Sequence, residues 1–263
     1  MNKKEKEIVA LLVKMRDEYG VTGLKAEFET EGTRFEELLR LKDVVSRAGV
    51  GLTLKIGGPE DVWGILQARR IGVSGIVAPM IESAYSLGKF IDAVKKHLPE
   101  DEREDVLVGM MIETKQAYEN RSAMLDLGAA RGVTHVTVGR IDFAGSFGLT
   151  RKDINSPEVN AMVTAIFRDA RARGFGTTLG GSIESASQPF ITDLVAGDLL
   201  DRFETRKVVF SAKRGVASFD EAVHDAHRLE LLWLENKARL HTEAVEEDAT
   251  RIVMLKKRVN SDQ

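Results

Sequence analysis

The stretch Gly23–Gly32, GLKAEFETEG, sets Lys25, Glu27 and Glu29 at every second position, with Leu24, Ala26 and Phe28 between them. On a strand, that alternation puts a lysine and two carboxylates on one face and apolar side chains on the other. Thr53 and Lys55 alternate in the same way with Leu52, Leu54 and Ile56, and Met111 shares a face with Glu113. A charge buried without a partner is costly, so such groups must pair, bind a metal or shift their pKa. Lys25 and Glu27 either fill an interior as an ion network or take part in chemistry, and Lys25 or Lys55 could act as a Schiff-base nucleophile. Glu113 and Asp142 are two further carboxylates with no histidine or cysteine nearby in sequence. Oxygen donors of that kind suit a hard divalent cation, Mg²⁺ or Mn²⁺.

The elements that position these residues follow from the hydrophobic spacing. Residues 3–19 carry Ile8, Leu11, Leu12 and Met15 at helical intervals. Beyond them, strand-like and helix-like segments alternate: GLKAEF, GLTLKI, SGIVAP, VLVGMMIE, THVTVG, GTTLGG and RKVVFS are the strands, each followed by a helical stretch, the last by the final helix. Seven or eight β-then-α units predict a parallel sheet, and that count favours a closed (β/α)₈ barrel of the TIM type over an open sheet. The segments RAGV, RIGV and RGV (Arg47–Val50, Arg70–Val73, Arg131–Val133) read as glycine ending a helix before a buried strand. No Pro-, Gly- or Ser-rich linker divides the chain. The expected organisation is one barrel domain, residues 1–218, followed by a helical extension, residues 219–263.

In such a barrel the outward face of each strand lies under helices, while the C-terminal ends of the strands form the active-site rim. Leu24, Ala26, Leu52 and Leu54 therefore belong outside and Lys25, Glu27, Glu29, Thr53 and Lys55 inside. Glu29, Lys55 and Glu113 fall at the rim. So does the long connection after the fifth strand, where Asp142 follows the strand end and Gly139, Gly145 and Gly148 let backbone approach a ligand. GGSI, Gly180–Ile183, is either a simple glycine turn or a backbone cradle for a phosphate or carboxylate. RFETRKVVFS, with Glu204, Arg206 and Lys207, reads as an ion-pair network closing the barrel.

The bulk composition narrows the class. The 263 residues carry 38 basic and 41 acidic side chains, a net charge of −3, which favours neither nucleic acid nor a membrane surface. There is no cysteine, so disulfides, thiolate metal sites and a cysteine nucleophile are excluded. No apolar run spans a bilayer and the start lacks a signal-peptide pattern, so a cytoplasmic location is expected. The tail's apolar positions, among them Leu229, Leu232, Trp233, Leu240, Val245, Ile252 and Leu255, either cover the barrel's end or pack on a second subunit, giving a homo-oligomer.

Three segments resemble one family. GMMIETKQAYEN (Gly109–Asn120), VGRIDFAGSFG (Val138–Gly148) and GIVAPMIES (Gly75–Ser83) look like the "IET", "G-x-x-D-L-x-x-x-L-G" and "I-x-x-P-x-x-E-S" segments of the HpcH/HpaI aldolase and citrate lyase β-subunit family, in the same order. The resemblance spans roughly residues 21–215. It implies a phosphoenolpyruvate/pyruvate-type barrel that makes or breaks carbon–carbon bonds beside a keto acid or thioester. Glu113 and Asp142 match the family's metal-binding carboxylates. Ala144 and Gly145 lie where members approach the substrate carboxylate, and Lys55, Gly139 and Pro79 complete the expected substrate wall.

The chain also departs from that pattern. Many members place an arginine where Lys55 stands, and lysine lacks the bidentate fork. The aldolase branch draws a histidine base from an early loop, whereas His97, His135, His224, His227 and His241 all fall elsewhere, the last three on the tail. Proton transfer is then expected from Glu29, Glu27 or a water on the metal. The leading expectation is a metal-dependent aldolase acting on a 2-keto acid and an aldehyde. The alternatives are a citrate-lyase-like thioester lyase and a barrel that binds a keto acid without turning it over.

Overall fold

The computed structural model describes residues 1–28 and 31–261, with side chains in the last helix described to residue 240 and again at 242 and 249–256. Eight strands close into a barrel in sequence order: β1 (Val21–Glu27), β2 (Gly51–Lys55), β3 (Gly75–Ala78), β4 (Leu107–Met111), β5 (His135–Gly139), β6 (Gly176–Gly180), β7 (Arg202–Glu204) and β8 (Val208–Ser211). The helices are α1 (Lys3–Tyr19), α2 (Phe35–Ala48), α3 (Val62–Ile71), α4 (Ala84–His97), α5 (Glu100–Arg103), α6 (Lys115–Arg131), α7 (Arg140–Ser146), α8 (Pro157–Arg171), α9 (Gln188–Ala196), α10 (Ala212–Gly215) and α11 (Phe219–Ser261). Among the described residues no helix is long and apolar enough to cross a membrane.

The alternation read in the sequence governs the barrel wall. Leu24, Ala26, Leu52 and Leu54 are fully buried beneath the helices, each larger side chain contributing about 1.5–3 kcal/mol. Lys25 pairs across to Thr53 and Glu27 to Lys55 in the β1–β2 register, so both strands send polar groups inward. Thr137, Thr178 and Glu204 are also buried inside. The interior is polar where an aliphatic filling is usual. The glycines at the ends of α2, α3 and α6 adopt φ of 67°, 68° and 93°, a left-handed stop before the next strand.

The barrel departs from an all-parallel expectation at its seam. β8 runs antiparallel to both β7 and β1. Only Thr205–Lys207 separate β7 from β8, too short a link for a parallel crossover. The Thr205 N–H donates to Val208 O at 3.0 Å, and the Val208 N–H donates to Thr205 Oγ1 at 3.1 Å, which closes the turn. Outside the seam, Phe203 and Phe210 stack with centroids 4.9 Å apart, and Phe219 packs on Phe203.

α11 runs back along α1. Lys14 meets Asp225 at 2.8 Å, Asn2 Nδ2 donates to Asn236 Oδ1 at 2.7 Å, and Lys4 pairs with Glu235. These contacts run in opposite order along the two helices, so they are antiparallel. At about 1.5 Å per residue, the remainder of α11 extends well past its last contacts with α1.

Candidate active site

At the rim, the inward charges of β1, β2 and β7 form one network. Lys25 Nζ lies 2.7 Å from Glu204 Oε1 and 3.3 Å from Glu27 Oε1, and Lys55 Nζ lies 3.7 Å from Glu27 Oε2. Burial would discharge Lys25, but Glu204 and then Glu27 outweigh it and push the ammonium well above its usual range. Burial likewise disfavours the Glu27 carboxylate, and Lys25 and then Lys55 overcome that and hold its pKa down. The barrel-closing network expected around Glu204, Arg206 and Lys207 is present: Glu204 holds Lys25, while Glu31 takes Lys207 and, at 3.4 Å, Arg206.

Glu113 stands two residues beyond β4 and is 1% exposed. Its Oε1 accepts the Met80 N–H at 3.0 Å, from a residue held at φ 53° on the loop after β3. Oε2 is buried with no hydrogen-bond partner among the described residues. Burial, with a smaller push from Asp142, raises the Glu113 pKa against the opposing pull of Lys55, the Met80 N–H and Lys25. A Cβ on Gly139 would sit 2.8 Å from Oε2, so β5 must end in glycine for this carboxylate to lie across it. Asp142 is the third residue of α7, exposed at the same edge. The long loop expected after β5 is thus partly helical, and α7 is what presents Asp142.

Both carboxylates open onto a cavity of about 380 Å³ at the C-terminal ends of the strands. Lys25, Glu27, Lys55, Glu113, Gly139 and Asp142 all line it. Three expected substrate residues do not. Ala144 is fully buried within α7, Gly145 sits later in that helix facing outward, and Pro79 is buried behind the rim. They miss the cavity because the segment after Gly139 coils immediately, so its backbone turns away after Ile141 and Asp142. Glu29 lies outside the described residues.

Several lining residues were not singled out by the sequence reading. Arg151 follows α7, and Glu184 belongs to the loop after β6, just past the GGSI segment already read as a possible cradle. His227 and Glu230 reach the wall from α11. His227 was expected only as a tail residue; its three-residue spacing from Glu230, about one turn along one helix face, is the signal in the sequence that marks the pair. His135 lies half-buried at the opposite end of β5, its pKa lowered to about 4 by desolvation and then by Arg202, consistent with a role outside the site.

Among the described residues no group of three or more His, Asp or Glu is gathered as a metal cage. A Mg²⁺-type ion needs only one or two carboxylates and completes its shell with water and substrate. The bare Glu113 Oε2, buried beside Asp142, fits that requirement.

A sequence profile described as "HpcH/HpaI aldolase/citrate lyase" matches residues 33–187, more than half of the chain. No curated protein matches. Among solved structures, the fold is similar to the citrate synthase SbnG (15% identity, 89% of each chain covered, TM-score 0.65). It is also similar to an HpcH/HpaI aldolase/citrate lyase family protein from Burkholderia cenocepacia J2315 (15% identity, 92% of this chain and 90% of that one, TM-score 0.62). A citrate lyase from Burkholderia xenovorans LB400 is 16% identical over 89% of this chain and 80% of its own, with a TM-score of 0.59.

Proposed function

The chain belongs to the HpcH/HpaI aldolase/citrate lyase family, and on that premise we propose that it is a divalent-metal-dependent carbon–carbon lyase, an aldolase acting on a 2-keto acid and an aldehyde. The observation that carries this reading is the unpartnered, buried Glu113 Oε2 opening onto the same cavity as Asp142. Glu113 and Asp142 would hold Mg²⁺ or Mn²⁺, which when bound supplies a Lewis acid and a fixed countercharge.

In the cleavage direction, a 4-hydroxy-2-keto acid loses the C3–C4 bond. The hydroxyl proton passes to water, the C4 oxygen becomes the aldehyde oxygen, the bonding electron pair moves toward the keto oxygen, and a proton returned to C3 of the resulting enolate gives pyruvate. The chain's own groups prepare that shift. Lys55, oriented by Glu27, places a positive charge on the cavity wall facing the developing negative oxygen. Lys25 is locked between Glu27 and Glu204, which suits a fixed charge holding the network and disfavours a Schiff-base nucleophile. Glu27 stays ionised between two lysines, so it orients Lys55 rather than storing a proton. The overhanging part of α11, with Ile252, Val253 and Leu255 exposed, supports pairing with a second copy of the chain.

The test is pyruvate release from a 4-hydroxy-2-keto acid by the wild-type protein and by Glu113→Gln and Asp142→Asn. Loss of about 10²-fold or more in both variants is expected; undiminished release in either removes that residue from the mechanism.

A further inference from the structure

We propose that the loop after β6 is an anion-binding subsite for a second acidic group of the substrate, a carboxylate or phosphate remote from the bond that reacts. Assigning the anion to the substrate rests on the lyase reading; the subsite itself does not.

Arg140 is fully buried and has no carboxylate partner among the described residues. Its guanidinium donates to the carbonyls of Gly180, Gly181 and Ser182 at 3.3, 2.9 and 3.4 Å, and to Ser187 Oγ at 3.0 Å and Asn155 Oδ1 at 2.7 Å. In a planar trans peptide the N–H points opposite to the preceding carbonyl. With three successive carbonyls drawn to Arg140, the N–H groups of Gly181, Ser182 and Ile183 point away from it. The cavity lies on that side, since these three residues line it and Arg140 does not. None of the three N–H groups has a hydrogen-bond partner among the described residues.

The backbone is held in this shape at some cost. Gly181 has φ 88° and Ser182 φ 50°. A Cβ on Gly181 would stand 2.5 Å from the Arg140 backbone nitrogen, so only glycine fits. Successive N–H groups converging from such a turn form a concave anion site.

A cation stands beside it. Arg151 Nη2 donates to Ser182 Oγ at 3.2 Å and lines the cavity, with no carboxylate partner among the described residues. Lys25, Lys55 and Arg206, by contrast, each lie within 4 Å of a carboxylate. The acidic groups on this side of the cavity do not fill the site. The charge of Glu184 acts on Arg140, and Glu230 stands on α11 beside the pocket of Arg206, Lys207 and Lys237. The reacting end of a substrate belongs with Glu113 and Asp142 on β4 and α7. An anion held by Gly181–Ile183 and Arg151 is therefore a different group of the same molecule.

The test titrates inorganic phosphate, and acetate in parallel, into the full-length protein without divalent cation, reading backbone amide NMR shifts. The amides of Gly181, Ser182 and Ile183 are expected to move together and saturate, and the anion that saturates at lower concentration identifies the group. Arg151→Gln, on an exposed turn, is expected to weaken binding about tenfold with an unchanged melting temperature. Silent amides in the wild-type protein, or unchanged affinity in Arg151→Gln, overturn the proposal. A failure of Glu113 and Asp142 to hold a cation leaves this metal-free titration untouched, so the two failures are distinguishable.

Discussion

Glu113 carries its charge against its surroundings, and this has a consequence for stability. A carboxyl whose folded pKa is raised contributes stability below its unfolded pKa, and that contribution is lost as pH rises through the folded value. The metal-free protein should therefore gain thermal stability at neutral pH on Glu113→Gln, with the gain vanishing below the ordinary carboxylate range. Melting curves at pH 4 and pH 7 check this; a destabilised Glu113→Gln at pH 7 would show that the carboxylate is already compensated. Lys25 poses the opposite case, because Glu27 and Glu204 both depend on it. Lys25→Met is expected to cost about 3–5 kcal/mol at pH 7, the range for breaking a buried ion pair, measured by urea unfolding. The alternation in GLKAEF was enough to send these groups inward. It could not show which carboxylate would remain bare, because that depends on the Met80 N–H reaching Oε1 from another unit.

At the level of elements, β5 and α7 set the distance between the two carboxylates. Gly139 gives Glu113 Oε2 its place, so Gly139→Ala should push the carboxylate aside. Manganese affinity is expected to fall about tenfold or more, in line with lost ligand orientation, while circular dichroism is unchanged; isothermal titration measures it. Seven strands and their helices were legible because burial imposes a period of two on strands and near four on helices. β7 was not, since its three residues give too short a period to read and two of them are charged. α7 was hidden as well: the glycines of GRIDFAGSFG suggest an open loop, yet Phe143 and Ala144 bury themselves and coil the segment. That short helix, about two turns long, removed Ala144 and Gly145 from the expected substrate wall.

At the scale of the whole molecule, α11 does two things that the tail's composition left undivided. Its first part closes the seam beside β8, clasps α1 and lends His227 and Glu230 to the cavity. His227 is exposed, so His227→Gln should leave the melting temperature unchanged while lowering kcat/KM about tenfold, a modest effect for a wall group. Its far part reaches beyond those contacts, and truncation after Leu240 is expected to keep the barrel folded but shift sedimentation toward a single chain. A truncated chain that sediments like the full one would place assembly elsewhere. The central claim, however, is that Glu113 and Asp142 meet over one cation at the end of β4 and β5. Anomalous diffraction from a manganese-soaked crystal tests it most directly: the account predicts one peak at about 2.0–2.3 Å from an oxygen of each residue. An empty rim, or an ion held by neither pair of oxygens, would contradict it.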